Sequence, residues 1–336
     1  PADELLVEIP ELMKLSIEER MELVWRMQTM MELHPFELFS KNLFNGRVWM
    51  CGILLPVTPQ VLGQWHRNGN LALVRQRLDE AVMLAARKGC QTVVLGAQTS
   101  IVTRNATTLA TPPGVQVASG NTFTVATMLS AIEMERQKRG IPKDVTMGIV
   151  GAPGNIGSSI LRWYAKNDRW KGPLALFGRS GAERRLNTLR DSLADTTTAD
   201  RIDVSLDPRG LRDCGLIVVA VGGEGIVVEG RHVHPTNNVL IADVSQPRAI
   251  SPTLESERPQ AKVIQAGLVR LKQDRRFRLT PHTPAGTCFA CAAEAILMGL
   301  EPHAIQLRGE VDAEAIKIMQ ALGEKYGMIA PMPMKH

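Results

Sequence analysis

Apolar and polar positions along this chain follow periods that change from segment to segment. Ile17, Met21, Val24, Met27 and Met31 recur at helical spacing behind Ser16 and Glu19, a capping-box pair, so a helix is predicted over residues 16–33. Its Met-rich face reads as core, with a membrane or partner surface as the alternative. Val48 to Val57 is an apolar, β-branched run ended by Pro56 and Pro59, which predicts a buried strand. Leu71, Val74, Leu78, Ala81 and Ala85 mark an amphipathic helix stopped by Gly89. Short strands are predicted at Thr92 to Leu95 and Val115 to Ala118, and a helix from Asn121 to Arg139.

Beyond Gly140 the pattern becomes an alternation of buried strands and helices. Val145 to Val150 is an apolar strand, followed by a Gly-rich turn and a helix around Ser158 to Ala165. Leu174 to Phe177, Leu216 to Val221, Val239 to Val244 and Val263 to Ile264 are short apolar runs of the kind that a parallel sheet covers on both faces. Helices are expected from Thr287 to Gly299 and from Asp312 to Tyr326. The expected architecture is α/β in three parts. Residues 1–140 form a mixed α/β substrate domain. Residues 141–282 form a Rossmann-like, doubly wound parallel-sheet domain, and residues 283–336 form helices returning to the first.

Composition narrows the function. The 336 residues suggest about two domains, and 44% hydrophobic with 22% charged residues is an ordinary globular balance. A net charge of +5 favours acidic partners, but only 4% of residues are aromatic, so stacking platforms for bases are scarce and nucleic acid is not expected. No apolar run is long enough to span a membrane, and Asp3, Glu4, Glu8 and Glu11 stand where a signal peptide would be basic. Five cysteines, an odd number, read as reduced thiols, and the expected location is the cytoplasm.

The turn Gly151-Ala-Pro153-Gly154-Asn155-Ile156-Gly157 lies between a predicted strand and a predicted helix, the context that makes such glycines a dinucleotide site. They allow a tight turn and close backbone approach to a pyrophosphate, whose charge meets the helix N-terminus. The next strand ends Phe177-Gly178-Arg179-Ser180, with no acidic residue before Glu183. Arg179, backed by Arg184 or Arg185, suits a 2′-phosphate, so the expected cofactor is NADPH. By position alone, Ala220, Val221, Asp243 and Val244 would border the nicotinamide half.

Cys51, Cys90 and Cys214 have apolar neighbours and read as packing groups. Cys288 and Cys291 instead stand at the start of a predicted helix, where the positive end of the dipole favours a thiolate. No second Cys or His pair completes a zinc site, and no metal is expected. A nucleophilic cysteine beside NADPH permits reduction of a thioester or an aldehyde through a covalent intermediate. His282 is the nearest histidine in sequence, either a base or a loop residue.

Four segments carry a family resemblance: Leu95-Gly-Ala-Gln-Thr-Ser-Ile-Val102, Gly120-Asn-Thr-Phe-Thr124, the Gly151 to Gly157 turn, and Phe289-Ala-Cys-Ala-Ala-Glu-Ala-Ile-Leu297. In order and spacing over roughly residues 45–330 the chain resembles the cyanobacterial long-chain acyl-(acyl carrier protein) reductases, which make fatty aldehydes. The resemblance places the nucleophile on Cys291 and implies an acyl thioester substrate, on an acidic carrier protein or on coenzyme A. Ser100, Asn121 and Thr122 would contact nicotinamide or stabilise the oxyanion. Glu294, one turn after Cys291, would be catalytic or a core pairing group. Phe123 stands where the family has a His, and residues 1–40 find no counterpart, so the acyl group stays open. Arg75, Arg77, Arg87, Lys88 and the run from Lys272 to Arg278 would steer an acidic carrier, or simply be solvated. Two rivals remain: a shikimate-type or hydroxy-acid dehydrogenase without covalent catalysis, and a non-catalytic NADP-binding sensor.

Overall fold

A computed structural model describes residues 16, 19, 22, 26, 33–69, 71–168, 170–222, 225–246, 248–279, 283–302 and 304–330. The body of the helix expected over 16–33, with its Met-rich face, lies outside the described residues, as does His282. Its capping box is described: Ser16 N–H donates to Glu19 Oε2 at 2.8 Å and Glu19 N–H to Ser16 Oγ at 3.3 Å.

The chain divides into two compact units. Unit 1 comprises residues 1–120, 270–309 and 326–328, and unit 2 comprises 121–269, 310–325 and 329–336. In unit 1, β1 (Phe36–Leu43) and β2 (Val48–Leu54) form an antiparallel hairpin. Two helices follow, α1 (Pro59–Arg67) and α2 (Ala72–Arg87). Then β3 (Thr92–Val94) and β4 (Gln116–Ala118) pair in parallel. Val74, Leu78 and Val82 of α2 pack with Leu95, Val102 and Val117 in one core cluster.

Unit 2 starts with α3 (Thr122–Lys138). It continues with β5 (Thr146–Val150), α4 (Asn155–Trp163), β6 (Leu174–Phe177), α5 (Glu183–Ala194), β7 (Ile202–Ser205), β8 (Cys214–Val219), β9 (Val239–Asp243) and β10 (Ala261–Gln265). The sheet order is β7-β6-β5-β8-β9-β10, with every pairing parallel. Counted from β5 as the first strand this is 3-2-1-4-5-6, the doubly wound Rossmann order, with its switch point between β5 and β8. Leu216 to Val219 and Leu240 to Ala242 are wholly buried, which is why these strands read as unbroken apolar runs. Further elements are β11 (Leu268–Leu271), β12 (Thr287–Phe289), α6 (Ala290–Leu300), α7 (Ala313–Lys325) and β13 (Met328–Ile329).

These units depart from the expected boundaries at 140 and 282. Helix α3 falls in unit 2, because side chains almost all round it are buried, from Phe123 and Val125 to Met128 and Ile132, and α4, α7 and β9 cover them. Of the C-terminal helices only α6 joins unit 1, where it packs on β2 and β3, while α7 packs on α3. The helix expected from Thr287 begins three residues later, since Thr287–Phe289 is a strand.

Candidate active site

The turn between β5 and α4 lies at the switch point, beside the end of β8. Gly151 has φ +83°, and a Cβ there would stand 2.3 Å from the Ala220 carbonyl oxygen. A Cβ on Gly157 would stand 2.5 Å from Gly151 O and 3.1 Å from Ala152 Cα, so the first turn of α4 lies directly on the loop. Gly154 caps α4, and its N–H donates to Gly151 O at 2.9 Å. Pro153, Gly154, Asn155 and Ile156 are half-exposed. The first N–H groups of α4 have no carbonyl within their own helix to meet, which suits an anion.

Two cations flank the turn. Arg185 of α5 donates from Nη2 to Pro153 O at 2.5 Å, and Arg179, with Ser180, is exposed where the chain leaves β6. A glycine cradle that side chains would fill, followed by an arginine after the second strand, fits a dinucleotide bearing a 2′-phosphate. Asn155 is occupied differently: its Oδ1 accepts from Val311 N–H at 3.3 Å and its carbonyl accepts from Ser159 Oγ at 2.6 Å.

Two strands from the glycine turn, on the same carboxyl edge of the sheet, Asp243 ends β9 beside Val219 of β8. Asp243 is buried, and its two oxygens accept from Ser245 N–H at 2.9 Å and Ala249 N–H at 3.3 Å. Burial pushes its carboxyl upward against those bonds. Both oxygens thus hold the loop after β9, and Ser245 Oγ in turn accepts from Val221 N–H at 3.1 Å. Asp243 supports the loop beside Ala220 and Val221, while Val244 carries a backbone bond to Val219 O at 3.0 Å.

The second constellation lies within unit 1, where β3, β4 and α6 converge. Cys291 is the second residue of α6 and is half-buried. The chain leaving β3 turns at Ala97, whose φ of +51° is left-handed for a residue with a Cβ, and its N–H is near enough to favour negative charge on Cys291 Sγ. The chain leaving β4 turns at Gly120, φ +76°, where a Cβ would stand 2.9 Å from Cys291 Cβ and 2.2 Å from Leu95 O. Gly120 N–H donates to Glu294 Oε1 at 3.0 Å, and Glu294 is wholly buried. Glu294 therefore holds the turn after β4 against α6.

Burial pushes the Cys291 thiol above its ordinary value, and the Glu294 carboxylate adds to the push. The N–H groups of Ala97, Ala292 and Cys291 pull it down. The helix terminus acts in the expected direction, but desolvation outweighs it, so the thiol rests protonated at neutral pH. Cys288 sits in β12, not on the helix, with no exposed surface and a thiol driven well up by burial. Cys214 is likewise core, pushed up to about 12 by burial and Asp213.

No family model matches the chain. Among solved structures it resembles Trichomonas vaginalis lactate dehydrogenase in complex with NADH and oxamate, at 20% identity over 29% of this chain and 38% of that one, TM-score 0.24. Corynebacterium glutamicum quinate dehydrogenase in complex with NAD aligns at 14% identity over 63% and 64%, TM-score 0.35. S. aureus TarJ in complex with NADPH aligns at 15% identity over 60% and 52%, TM-score 0.29. The chain spans less than two thirds of each of these proteins. The Rossmann assignment stands on the strand order itself.

The other expected site residues are distributed between the units. Ser100 is buried in a helical turn, Thr99–Val102, just after the Ala97 loop of unit 1. Asn121 and Thr122 are buried at the start of α3, where unit 2 begins, directly after Gly120 along the chain. Of the basic residues expected to steer a carrier, several are engaged inside unit 1, among them Arg275, whose Nε donates to Lys272 O at 3.3 Å. Arg75 Nε donates to Val102 O at 3.2 Å, Arg77 pairs with Glu80, and Lys88 pairs with Glu37. The backbone donors at Ala97 and Gly120 were not singled out from sequence. Their only signal was a Leu-Gly-Ala or Ser-Gly-Asn step after each strand.

Proposed function

We propose that this chain is an NADPH-dependent oxidoreductase that reduces an acyl thioester to an aldehyde through an acyl-enzyme on Cys291. The observation that carries this reading is Cys291, a half-buried residue on the first turn of α6, seated against the glycine turns that follow β3 and β4. Its thiolate attacks the thioester carbonyl, the new C–S bond forms, and the carrier thiolate leaves and takes up the proton that Cys291 gave. The N–H groups of Ala97 and Ala292 hold negative charge on the sulfur before attack and again when the aldehyde departs. NADPH, when bound, supplies the hydride for the acyl carbon. The turn from Gly151 to Gly157 would take its pyrophosphate, and Arg179 with Arg185 its 2′-phosphate.

A carrier bearing negative charge suits this surface. Lys41, Lys272, Arg275 and Arg276 line one open cavity of about 500 Å³, and the single acid among them, Asp274, accepts from Phe44 N–H. An acidic acyl carrier protein would be drawn there, with an on-rate that falls as salt is added.

Incubating the protein with an acyl thioester in the absence of NADPH tests the reading. Intact mass should rise by one acyl group, and peptide mapping should place it on Cys291. Turnover of a hydroxy acid or ketone without any adduct would favour the second reading, a dehydrogenase without covalent catalysis, for which the raised thiol speaks. The cofactor assignment has its own test. Arg179→Ala should weaken NADPH binding about tenfold or more and leave NADH binding little changed, because one charged hydrogen-bonding group to phosphate is lost. Fluorescence titration reads both, and an equal loss for the two cofactors would remove Arg179 from the phosphate site.

A further inference from the structure

Cys51 and Cys90, read from sequence as separate packing groups, meet in the structure. Their sulfurs lie 3.5 Å apart, and both residues are half-buried. Each is held by rigid backbone. Cys51 sits in the β1–β2 ladder opposite Ser40. Cys90 follows the end of α2, where Gly89 N–H donates to Ala86 O at 2.9 Å and Cys90 N–H to Ala85 O at 3.1 Å. These two bonds with the left-handed Gly89, φ +84°, make a Schellman closure that leaves Cys90 little freedom.

Helix α2 packs against β2, so the meeting of the two thiols follows from how unit 1 folds and not from their sequence neighbours. A disulfide needs sulfurs about 2 Å apart, so rotation of the side chains by roughly 1.5 Å would close the gap. Burial and the adjoining Cys90 push the Cys51 thiol up to about 12, and the Lys88 ammonium, itself paired with Glu37, offsets only a little of that. Two half-buried thiols in contact on rigid backbone are placed for thiol–disulfide exchange, and its rate should rise with pH as the thiolate becomes populated.

We propose that Cys51 and Cys90 form a redox site, oxidised to a disulfide by low-molecular-weight disulfides and reopened by thiols. One thiolate attacks the small disulfide, forming a mixed disulfide and releasing one small thiol. The second cysteine then attacks the protein sulfur of that bond and releases the other. The two cysteines together lose two electrons and two protons, which end on the two small thiols. The bond ties β2 to the end of α2 across a span of 39 residues. Neither NADPH nor the Cys291 chemistry enters this step, so its outcome is independent of the proposed function.

Oxidised glutathione is the probe. The full-length chain, treated with it and freed of excess, should lose the mass of two hydrogens. Non-reducing peptide mapping should join the Cys51 and Cys90 peptides, and dithiothreitol should reverse both changes. Closing so long a loop should raise Tm by about 5 °C. Cys51→Ser and Cys90→Ser should each abolish the mass loss and the Tm shift, with Cys51→Ala in place of a serine variant that does not fold. In Cys291→Ser protein the mass loss should persist, which separates this pair from Cys288 and Cys291. Unchanged mass, a glutathione adduct that never resolves, or a crosslink between other cysteines would each overturn the proposal.

Discussion

Cys291→Ser protein is expected to bind NADPH as the parent chain does and to make aldehyde at a rate lower by on the order of a thousandfold or more. The substitution changes one atom at the first turn of α6, in unit 1, whereas the glycine turn belongs to unit 2. A hydroxyl is far less ionised than a thiol at any accessible pH, so the nucleophile is lost while the fold is kept. Comparing cofactor affinity by fluorescence with aldehyde formation by chromatography separates the two effects. Equal turnover in the variant would exclude covalent catalysis.

The elevation of this thiol adds a pH signature. Each unit by which burial raises it costs tenfold in thiolate population and returns about threefold in intrinsic reactivity, so acylation below that value is slower than for an ordinary thiol. The rate of acylation should climb as pH rises toward the raised value. Stability runs the other way. A thiol whose folded value exceeds its unfolded one contributes stability below the unfolded value, and that contribution is lost as pH rises through the folded one.

What sequence pattern could reveal followed from burial. Strands β5, β6, β8 and β9 are covered on both faces and stand out as apolar runs, and the turn from Gly151 to Gly157 is legible because only glycine fits against Ala220 O and Gly151 O. Strand β7 was missed because an edge strand reading Ile-Asp-Val-Ser is only half covered. Helix α5 was missed despite buried Leu186, Leu189 and Leu193, whose spacing lies among many charges. The identity of the candidate nucleophile was readable from its helix start. Its protonation was not, because desolvation comes from β3 and β4, which reach it only in three dimensions. The same holds for Cys51 and Cys90, which no local pattern joins.

Gly120→Ala should damage unit 1 far more than an equally left-handed glycine does. At Gly114, φ +77°, a Cβ would meet nothing within 4 Å, so alanine there bears only the backbone penalty, about 1–2 kcal/mol. At Gly120 the added methyl would stand 2.2 Å from Leu95 O and 2.9 Å from Cys291 Cβ. Leu95 cannot easily retreat, since its N–H donates to Ala118 O at 3.0 Å and holds β3 to β4. Overpacking of this kind adds about 1–3 kcal/mol. Any shift of Gly120 also weakens its bond to the buried Glu294, for about 1–3 kcal/mol more. The expected total is about 3–8 kcal/mol, against 1–2 for Gly114→Ala, both read from denaturant midpoints at constant slope. Where the Gly120→Ala chain still folds, Cys291 should also react with iodoacetamide at an altered rate, because the Leu95 carbonyl and the Cys291 Cβ that crowd the glycine must move. Equal costs at the two glycines would mean that the turns at Ala97 and Gly120 do not clasp α6 as described, and the cradle around Cys291 would lose its basis.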